Sequence, residues 1–170
     1  FLTDLKDLYR KIEYVLISNK EFNNEADTFN FMLKKAESYE KNTPMLYVHT
    51  KGASHTHPIL KKNINAWVRY LDLYVIKQWE RCLEGLKDND AAGGLYEASN
   101  PKHFSGNFWW ANSDYIKTLP RLNQYNINEF NRGEFWICSN TNNAYPVSMN
   151  APVDLYHNYY CNEEDFPSGF

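Results

Sequence analysis

The sequence predicts an α/β fold in which a largely parallel sheet is flanked by helices. Short runs rich in β-branched and aromatic residues alternate with segments whose apolar residues recur at helical spacing. Such alternation is typical of parallel sheets. The chain has 170 residues, of which 43% are hydrophobic, so it is long enough to bury a core of its own. We therefore expect a single domain over residues 1–170.

Five segments are predicted as strands, because each is short, rich in apolar or aromatic residues and bounded by turn-forming residues. They are residues 12–17, 45–48, 91–98, 104–111 and 134–138. The pair Gly93–Gly94 predicts that another backbone or a ligand approaches closely there. From residue 139 onward the chain is rich in Asn, Pro and Tyr, and this C-terminal segment is predicted to be mostly loop.

Residues 1–9 have apolar residues at helical spacing, and three later segments are predicted as helices. The first begins at Asn24 as N-cap and ends before Pro44. The second is the longest, because apolar residues keep helical spacing without a break over residues 64–86. The third is short, with Ser113 as its cap and Pro120 just beyond its end.

Composition and charge exclude several classes of protein. The net charge is -3 and the isoelectric point is about 6.0, which argues against a protein that grips nucleic acid through its phosphates. Three widely spaced cysteines indicate a reducing compartment. No apolar run approaches the ~20 residues that span a bilayer. We therefore expect a cytoplasmic protein with no transmembrane segment.

A polar cluster follows the predicted strand at 45–48. It contains His49, Thr50, Lys51 and Gly52, at the edge of the sheet where ligands of parallel α/β folds bind. Lys51 could hold a phosphate, with Gly52 allowing the backbone to approach; the alternative is a strand-exit turn with a solvated lysine. The nearby histidines have no carboxylate or cysteine beside them in the loop, so no metal site is assigned.

The segment 103–111 reads His-Phe-Ser-Gly-Asn-Phe-Trp-Trp-Ala, and this combination of indoles and polar groups suits a sugar ring. Because side chains alternate along a strand, Asn107 and Trp109 should share one face, and Phe108 and Trp110 the other. One indole is then available to a ligand. The alternative is that both indoles are packed in the core.

Two carboxylates near this segment are candidates for a general base that activates an acceptor hydroxyl. Glu134, at the start of a predicted strand, is the better candidate, and Asp114 is the other. Either could instead be an ion-pair partner or a helix cap.

Together these motifs resemble a family of GT-A-like glycosyltransferases encoded by large DNA viruses and by bacteria that build surface polysaccharides. The resemblance rests on Tyr-Val-His-Thr-Lys-Gly over residues 47–52 and on the tryptophan motif over 103–111. It is extended by Trp67, Gly94, Arg132 and the Glu-Phe-Trp run at 134–136. The first motif also looks like one in rhamnan-synthesis proteins. The similarity covers about residues 10 to 140.

The resemblance implies a hexosyl- or deoxyhexosyltransferase that moves a sugar from a nucleotide-sugar donor to a hydroxyl of a glycan acceptor. The donor phosphates would be bound by His49, Thr50, Lys51 and Gly52. The sugar or acceptor platform would comprise His103, Ser105, Gly106, Asn107, Trp109 and Trp110. In the GT-A layout a metal-binding Asp-x-Asp usually stands where His49-Thr50-Lys51 stands here. We therefore expect no cofactor; the alternative is a divalent metal ion, Mn²⁺ or Mg²⁺. If the protein is viral, the expected location is the host cytoplasm.

A GT-A fold opens with a strand, a nucleotide loop and a helix, whereas this chain starts inside that helix or just after it. We therefore expect its first β-α unit to be missing. Two other functions stay open. A non-catalytic carbohydrate-binding module would use the Trp109 and Trp110 platform without binding nucleotides. A structural or interaction domain would bury all its tryptophans.

Overall fold

The computed structural model describes residues 25–51, 57–99, 101–122 and 132–148. The helices are α1 (Ala26–Glu37), α2 (Pro58–Leu71), a π-helical segment (Asp72–Lys77), α3 (Trp79–Gly85), α4 (Ser113–Ile116) and α5 (Arg132–Trp136). The strands are β1 (Pro44–Tyr47), β2 (Ala91–Glu97), β3 (His103–Asn112) and β4 (Ala144–Pro146). This part of the chain is therefore a mixed α/β fold.

The four strands form one sheet in the order β1-β3-β2-β4. β3 pairs antiparallel with both β1 and β2, and only β2 and β4 run parallel. The prediction of a largely parallel sheet was wrong for the described strands. The short connection of residues 98–102 joins β2 to β3 directly, and so short a link favours antiparallel neighbours.

Helices pack on both faces of the sheet. On one face, α1, α4 and α5 surround a cluster that includes Phe29, Trp109 and Trp136. On the other face, α2, the π segment and α3 pack against Phe108 and Ala92. The faces therefore have separate apolar cores, with β3 contributing to both.

Several predicted elements are confirmed. α1 buries Phe29, Met32, Leu33 and Ala36 of the predicted stripe, whereas its last predicted member, Tyr39, is exposed beyond the end of the helix. β1, β2 and β3 lie within two residues of their predicted bounds.

The helical spacing at residues 1–9 and the predicted strand at 12–17 lie outside the described residues. The predicted N-cap at Asn24 was wrong, because Glu25 is the N-cap residue of α1. A side chain does approach Gly93 closely, but it is the Phe104 ring, whose Cδ1 lies 2.6 Å from where a Cβ would stand.

The predicted continuous helix over 64–86 is interrupted by the π segment. There the Gln78 amide bonds the Leu73 carbonyl, five residues back. The Trp110 indole N–H donates to the Val75 carbonyl at 2.8 Å, and the Cys82 thiol donates to the Tyr74 carbonyl. These bonds satisfy carbonyls that a regular helix would pair with backbone amides. Apolar spacing alone could not reveal the interruption, because it depends on a tryptophan of β3.

The predicted strand at 134–138 was wrong: this segment begins in helix α5 and ends in a turn. Tertiary packing overrides the β-propensity of its aromatic residues. The Trp136 ring stacks on Phe29 with centroids 4.7 Å apart, and its indole donates to the Pro120 carbonyl.

The described residues 139–148 are mostly turn and loop, as predicted, and include the three-residue strand β4. One smaller prediction was wrong. Ser113 is the first residue of α4 and not its cap, since its hydroxyl accepts the Thr43 amide instead of capping the helix. Among the described helices, none is long and apolar enough to cross a bilayer.

We expect the free energy of unfolding to fall as pH rises above about 9. Burial raises the pKa of the Cys82 and Cys138 thiols from 9.0 to about 12, and that of Tyr70 from 10.0 to about 12. These groups ionise first in the unfolded chain, so stability that is complete below pH 9 is lost toward pH 12. Each group contributes a slope of at most about 1.4 kcal/mol per pH unit. Urea unfolding across this range measures the effect.

Cys82→Ala is the control, because it removes one of the buried ionisable groups. Its stability should fall less steeply with pH than that of the unmodified protein. A free energy of unfolding that stays constant through pH 11 would contradict the expectation.

Candidate functional site

The candidate site is organised by a bulge in β3. Gly93 pairs with Trp109 and Leu95 with Ser105, so residues 106–108 lie opposite the single residue Gly94. Gly106 has φ +91° and Asn107 has φ +57°, both in the left-handed region. Glycine is required at 106 for space as well, because a Cβ would stand 2.7 Å from Leu71 Cδ1.

The backbone amide and the backbone carbonyl of the bulged residue Gly106 each form a hydrogen bond with a side chain. Its amide donates to Glu134 Oε1 at 2.7 Å, and its carbonyl lies 3.1 Å from His49 Nε2. A carbonyl only accepts, so Nε2 is the donor in this contact. The bulge therefore brings the histidine after β1 and the carboxylate of α5 to one place.

Glu25 joins the same cluster from the start of α1. Its Oε1 accepts from the Tyr47 hydroxyl at 2.7 Å and lies 3.2 Å from His49 Nδ1. Its Oε2 accepts from Asn107 Nδ2 at 2.9 Å. Glu25 is the N-cap residue of α1, yet its side chain makes no capping bond and turns to these three partners. Gly133 leaves room for it, since a Cβ there would collide with Oε2.

Tyr47 and His49 form the aromatic side of the cluster. Burial, followed by the charge of Glu25 and the hydrogen bond to it, raises the pKa of Tyr47 far above its usual range. The hydroxyl therefore stays a donor to Glu25 across the working range of pH. The His49 ring lies parallel to the Tyr47 ring, with an interplanar angle of 10° and centroids 5.8 Å apart. The orientation of the His49 ring is thus fixed by contacts of both its nitrogens, with Gly106 and Glu25, and by the Tyr47 ring on one face.

Lys51 supplies the ammonium of the site. Its Nζ lies 4.0 Å from the centroid of the Trp67 ring, a cation–π distance. Burial lowers the pKa of Lys51, while the charges of Glu134 and Glu25 act in the opposite direction. Because burial is the largest effect, the fold holds this ammonium at a cost in stability. Charged groups held in that way are candidates for function.

The two tryptophans of the motif are packed on opposite faces of β3. Trp109 is fully buried, and its indole donates to Asn107 Oδ1 at 2.9 Å. Trp110 is half-buried and packs, with Phe108, against the other cluster. The predicted sharing of faces is confirmed, and Trp109 presents no ring face to solvent. Its role in sugar binding stays a prediction without support from exposure.

The other predicted residues are spread around this cluster. Thr50 is exposed, and Gly52 lies outside the described residues. His103 and Ser105 are half-buried in the first half of β3, before the bulge. Asp114 is exposed beyond the far end of β3 and is paired with Lys117 at 2.7 Å. The structure therefore brings together His49, Lys51, Gly106, Asn107 and Glu134, and leaves Asp114 apart.

Comparison with known proteins gives a family but no activity. A family model described as "Domain of unknown function (DUF8361)" matches residues 6–150. The chain belongs to this family. No curated protein and no solved structure matches the sequence. Within the described DUF8361 residues, no group of three or more His, Cys, Asp or Glu side chains is arranged to hold a metal ion.

Glu25 is the residue of this DUF8361 site that sequence reasoning missed. A glutamate before an apolar stripe is typical of a helix start, so nothing in its position distinguished it. Two of its partners are 22 and 82 residues away along the chain, at Tyr47 and Asn107, and the third, His49, follows the same strand as Tyr47. Only the folded backbone places them together.

Replacing Glu25 by alanine should lower the free energy of unfolding by about 1–3 kcal/mol, because buried donors of Tyr47 and Asn107 lose their acceptor. Urea denaturation measures the change. The control is Glu37→Ala on the same helix, where an exposed ion pair to Arg121 is lost. That control should change stability by less than about 0.5 kcal/mol. Equal losses in the two variants would show that Glu25 is an ordinary surface residue.

Proposed function

We propose that this DUF8361 protein is a glycosyltransferase that moves a sugar from a nucleotide-sugar donor to a hydroxyl of a glycan. The observation that carries the proposal is the half-buried Lys51 ammonium, held on Trp67 beside His49 and two carboxylates. A desolvated cation next to a candidate base is what transfer from a diphosphate leaving group needs.

The leaving group of such a reaction is a nucleoside diphosphate, which gains negative charge as its bond to the sugar breaks. An ammonium that is partly removed from water stabilises this charge more strongly than a solvated one. Lys51 would supply that stabilisation, and the donor phosphates would replace water around its Nζ. The resemblance of the His-Thr-Lys motif to glycosyltransferases supports the same role.

Glu134 would act as the general base. The acceptor hydroxyl oxygen forms a bond to the anomeric carbon of the donor sugar while the bond from that carbon to the diphosphate oxygen breaks. The diphosphate leaves with the electron pair, and the hydroxyl proton moves to Glu134. The Gly106 amide fixes Oε1 of this carboxylate, and Oε2 would take the proton. Asp114 is less suited, because it pairs with Lys117, the residue that follows α4.

Glu25 and His49 would act as positioning residues. Glu25 orients His49 through Nδ1, and His49 in turn bonds the carbonyl of the bulged Gly106. The bulge aims the Gly106 amide at Glu134. The base is therefore held by a connected set of hydrogen bonds, while the cation is held on the Trp67 ring. Rigid support of this kind is what reactive groups require.

The second candidate is a non-catalytic carbohydrate-binding module that uses Trp109 and Trp110 as its platform. It has less support, because Trp109 is fully buried and the Trp110 indole N–H is bonded to the Val75 carbonyl. Such a module would also have no use for a partly buried lysine beside two carboxylates. It predicts affinity for sugars without affinity for nucleotides, which the next experiment distinguishes.

One nucleotide-sugar of a panel should raise the melting temperature, because a ligand at ~100 times its Kd stabilises the fold by about 2.7 kcal/mol. We expect the shift to persist in EDTA and to be lost in Lys51→Met. That variant should itself melt at a higher temperature at pH 7, because it no longer buries a charge. Its loss of response would then not reflect misfolding.

The matched control is Lys87→Met, which removes an exposed lysine paired with Glu84. It should keep both the original melting temperature and the response to the nucleotide-sugar. No response to any nucleotide-sugar would contradict the proposed function. A response that requires Mn²⁺ would contradict the metal-independent role of Lys51.

Glu134→Gln should lower the turnover number by about 10²–10⁴, since an amide cannot accept the proton. The measurement is release of the nucleoside diphosphate in the presence of an acceptor glycan. Because glutamine keeps an oxygen that can accept the Gly106 amide, the melting temperature and the donor-induced shift should be retained. Unchanged turnover would exclude Glu134 as the base.

A further inference from the structure

A cavity of about 410 Å³ is lined in part by α5, the helix that carries Glu134. Its lining includes Lys102 at the start of the chain segment that enters β3, Phe135 of α5, and the turn residues Asn140 and Asn142. Cavities of roughly 300–1,000 Å³ are typical of small-molecule sites in proteins. We propose that this cavity binds one sugar unit of the glycan acceptor.

The location of the cavity connects it to the proposed reaction. Phe135 follows Glu134 directly in α5, and Lys102 precedes the bulged Gly106 by four residues. The cavity and the charged cluster therefore share α5, and Lys102 stands just before the strand that carries Gly106. A sugar seated here would contact Phe135, the neighbour of Glu134 in α5, while Lys51 holds the donor in the cluster.

The polar groups of the cavity suit hydroxyls. Asn142 Oδ1 accepts from Lys102 Nζ at 2.9 Å, and its Nδ2 is not used in any described contact. Asn140 Nδ2 donates to the Thr118 hydroxyl at 3.2 Å, and its Oδ1 is likewise unused among the described residues. The turn thus offers an amide donor and an amide acceptor, and a sugar hydroxyl pairs with both.

The remaining described lining offers an apolar surface that suits a sugar ring and contains nothing that selects a cationic ligand. The Phe135 ring provides an apolar surface of the kind that packs on the C–H face of a pyranose, and the edge-on His103 ring supports it with centroids 5.2 Å apart. No carboxylate lines this described cavity, so nothing there selects a cationic ligand. Cys138, also in the lining, is buried with the pKa of its thiol raised to about 12, so it adds no anion.

Binding of a sugar in the cavity can be measured without any nucleotide. The probes are the methyl glycosides of glucose, galactose, mannose, rhamnose and N-acetylglucosamine, titrated singly into the full chain and followed by saturation-transfer NMR. We expect one of them to bind. The double variant Asn140→Ala/Asn142→Ala should raise its Kd by about tenfold. Both asparagines are exposed, so the variant should fold.

The matched control is Asn42→Ala, which removes an exposed asparagine outside the cavity and should leave the Kd unchanged. Binding of no probe, or binding that the double variant leaves unchanged, would overturn the proposal. Equal weakening by Asn42→Ala would overturn it too, since the effect would then not belong to the cavity.

Identifying the bound sugar as the acceptor rests on the proposed transferase function, and the two proposals fail separately. A sugar that binds while no nucleotide-sugar does would support the cavity and contradict the transferase. A nucleotide-sugar that binds while no methyl glycoside does would support the transferase and contradict the cavity. If both bind, Lys51→Met should abolish only nucleotide-sugar binding, and the asparagine variant should weaken only the sugar.

Discussion

The left-handed backbone at Gly106 and Asn107 is the constraint on which the candidate site depends. Because three residues of β3 face one residue of β2, the Gly106 amide bonds Glu134 and its carbonyl bonds His49. Asn107 is turned toward Glu25 by the same bend. A regular strand would pair these backbone groups with a neighbouring strand. The helix α5, the end of β1 and the start of α1 would then have no common point of attachment.

The bulge also links the site to the two cores. The Asn107 side chain donates to Glu25 through Nδ2 and accepts a hydrogen bond from the Trp109 indole N–H through Oδ1. One side-chain amide therefore links the polar cluster to a buried aromatic ring. On the other side, the packing of Leu71 and Trp67 against Gly106 sets the position of α2. The Trp67 ring in turn makes the cation–π contact with the Lys51 ammonium. The charged groups are therefore positioned by apolar packing on both faces of the sheet.

Local patterns in the sequence predicted the elements better than their arrangement. The buried stripe of α1 up to Ala36, the strand β1 and the sharing of faces in β3 depend on nearby residues, and these were confirmed. The direction of the strands was predicted wrongly, because it depends on how short segments are connected and not on their composition. The predicted strand at 134–138 and the predicted uninterrupted helix over 64–86 were wrong for a related reason. Each is decided by a tryptophan that contacts a distant part of the chain.

The same division applies to the site. His49, Lys51 and Glu134 were found because they stand beside recognisable motifs, whereas Glu25 was missed because its partners come from two other segments, the end of β1 and the middle of β3. Lys51 and His49 stand beside two carboxylates, in a chain whose net charge is -3. The cluster therefore does not generate the strong positive field that draws anions from a distance. A phosphate-bearing ligand would be recognised only after it arrives, so its association rate should depend little on ionic strength.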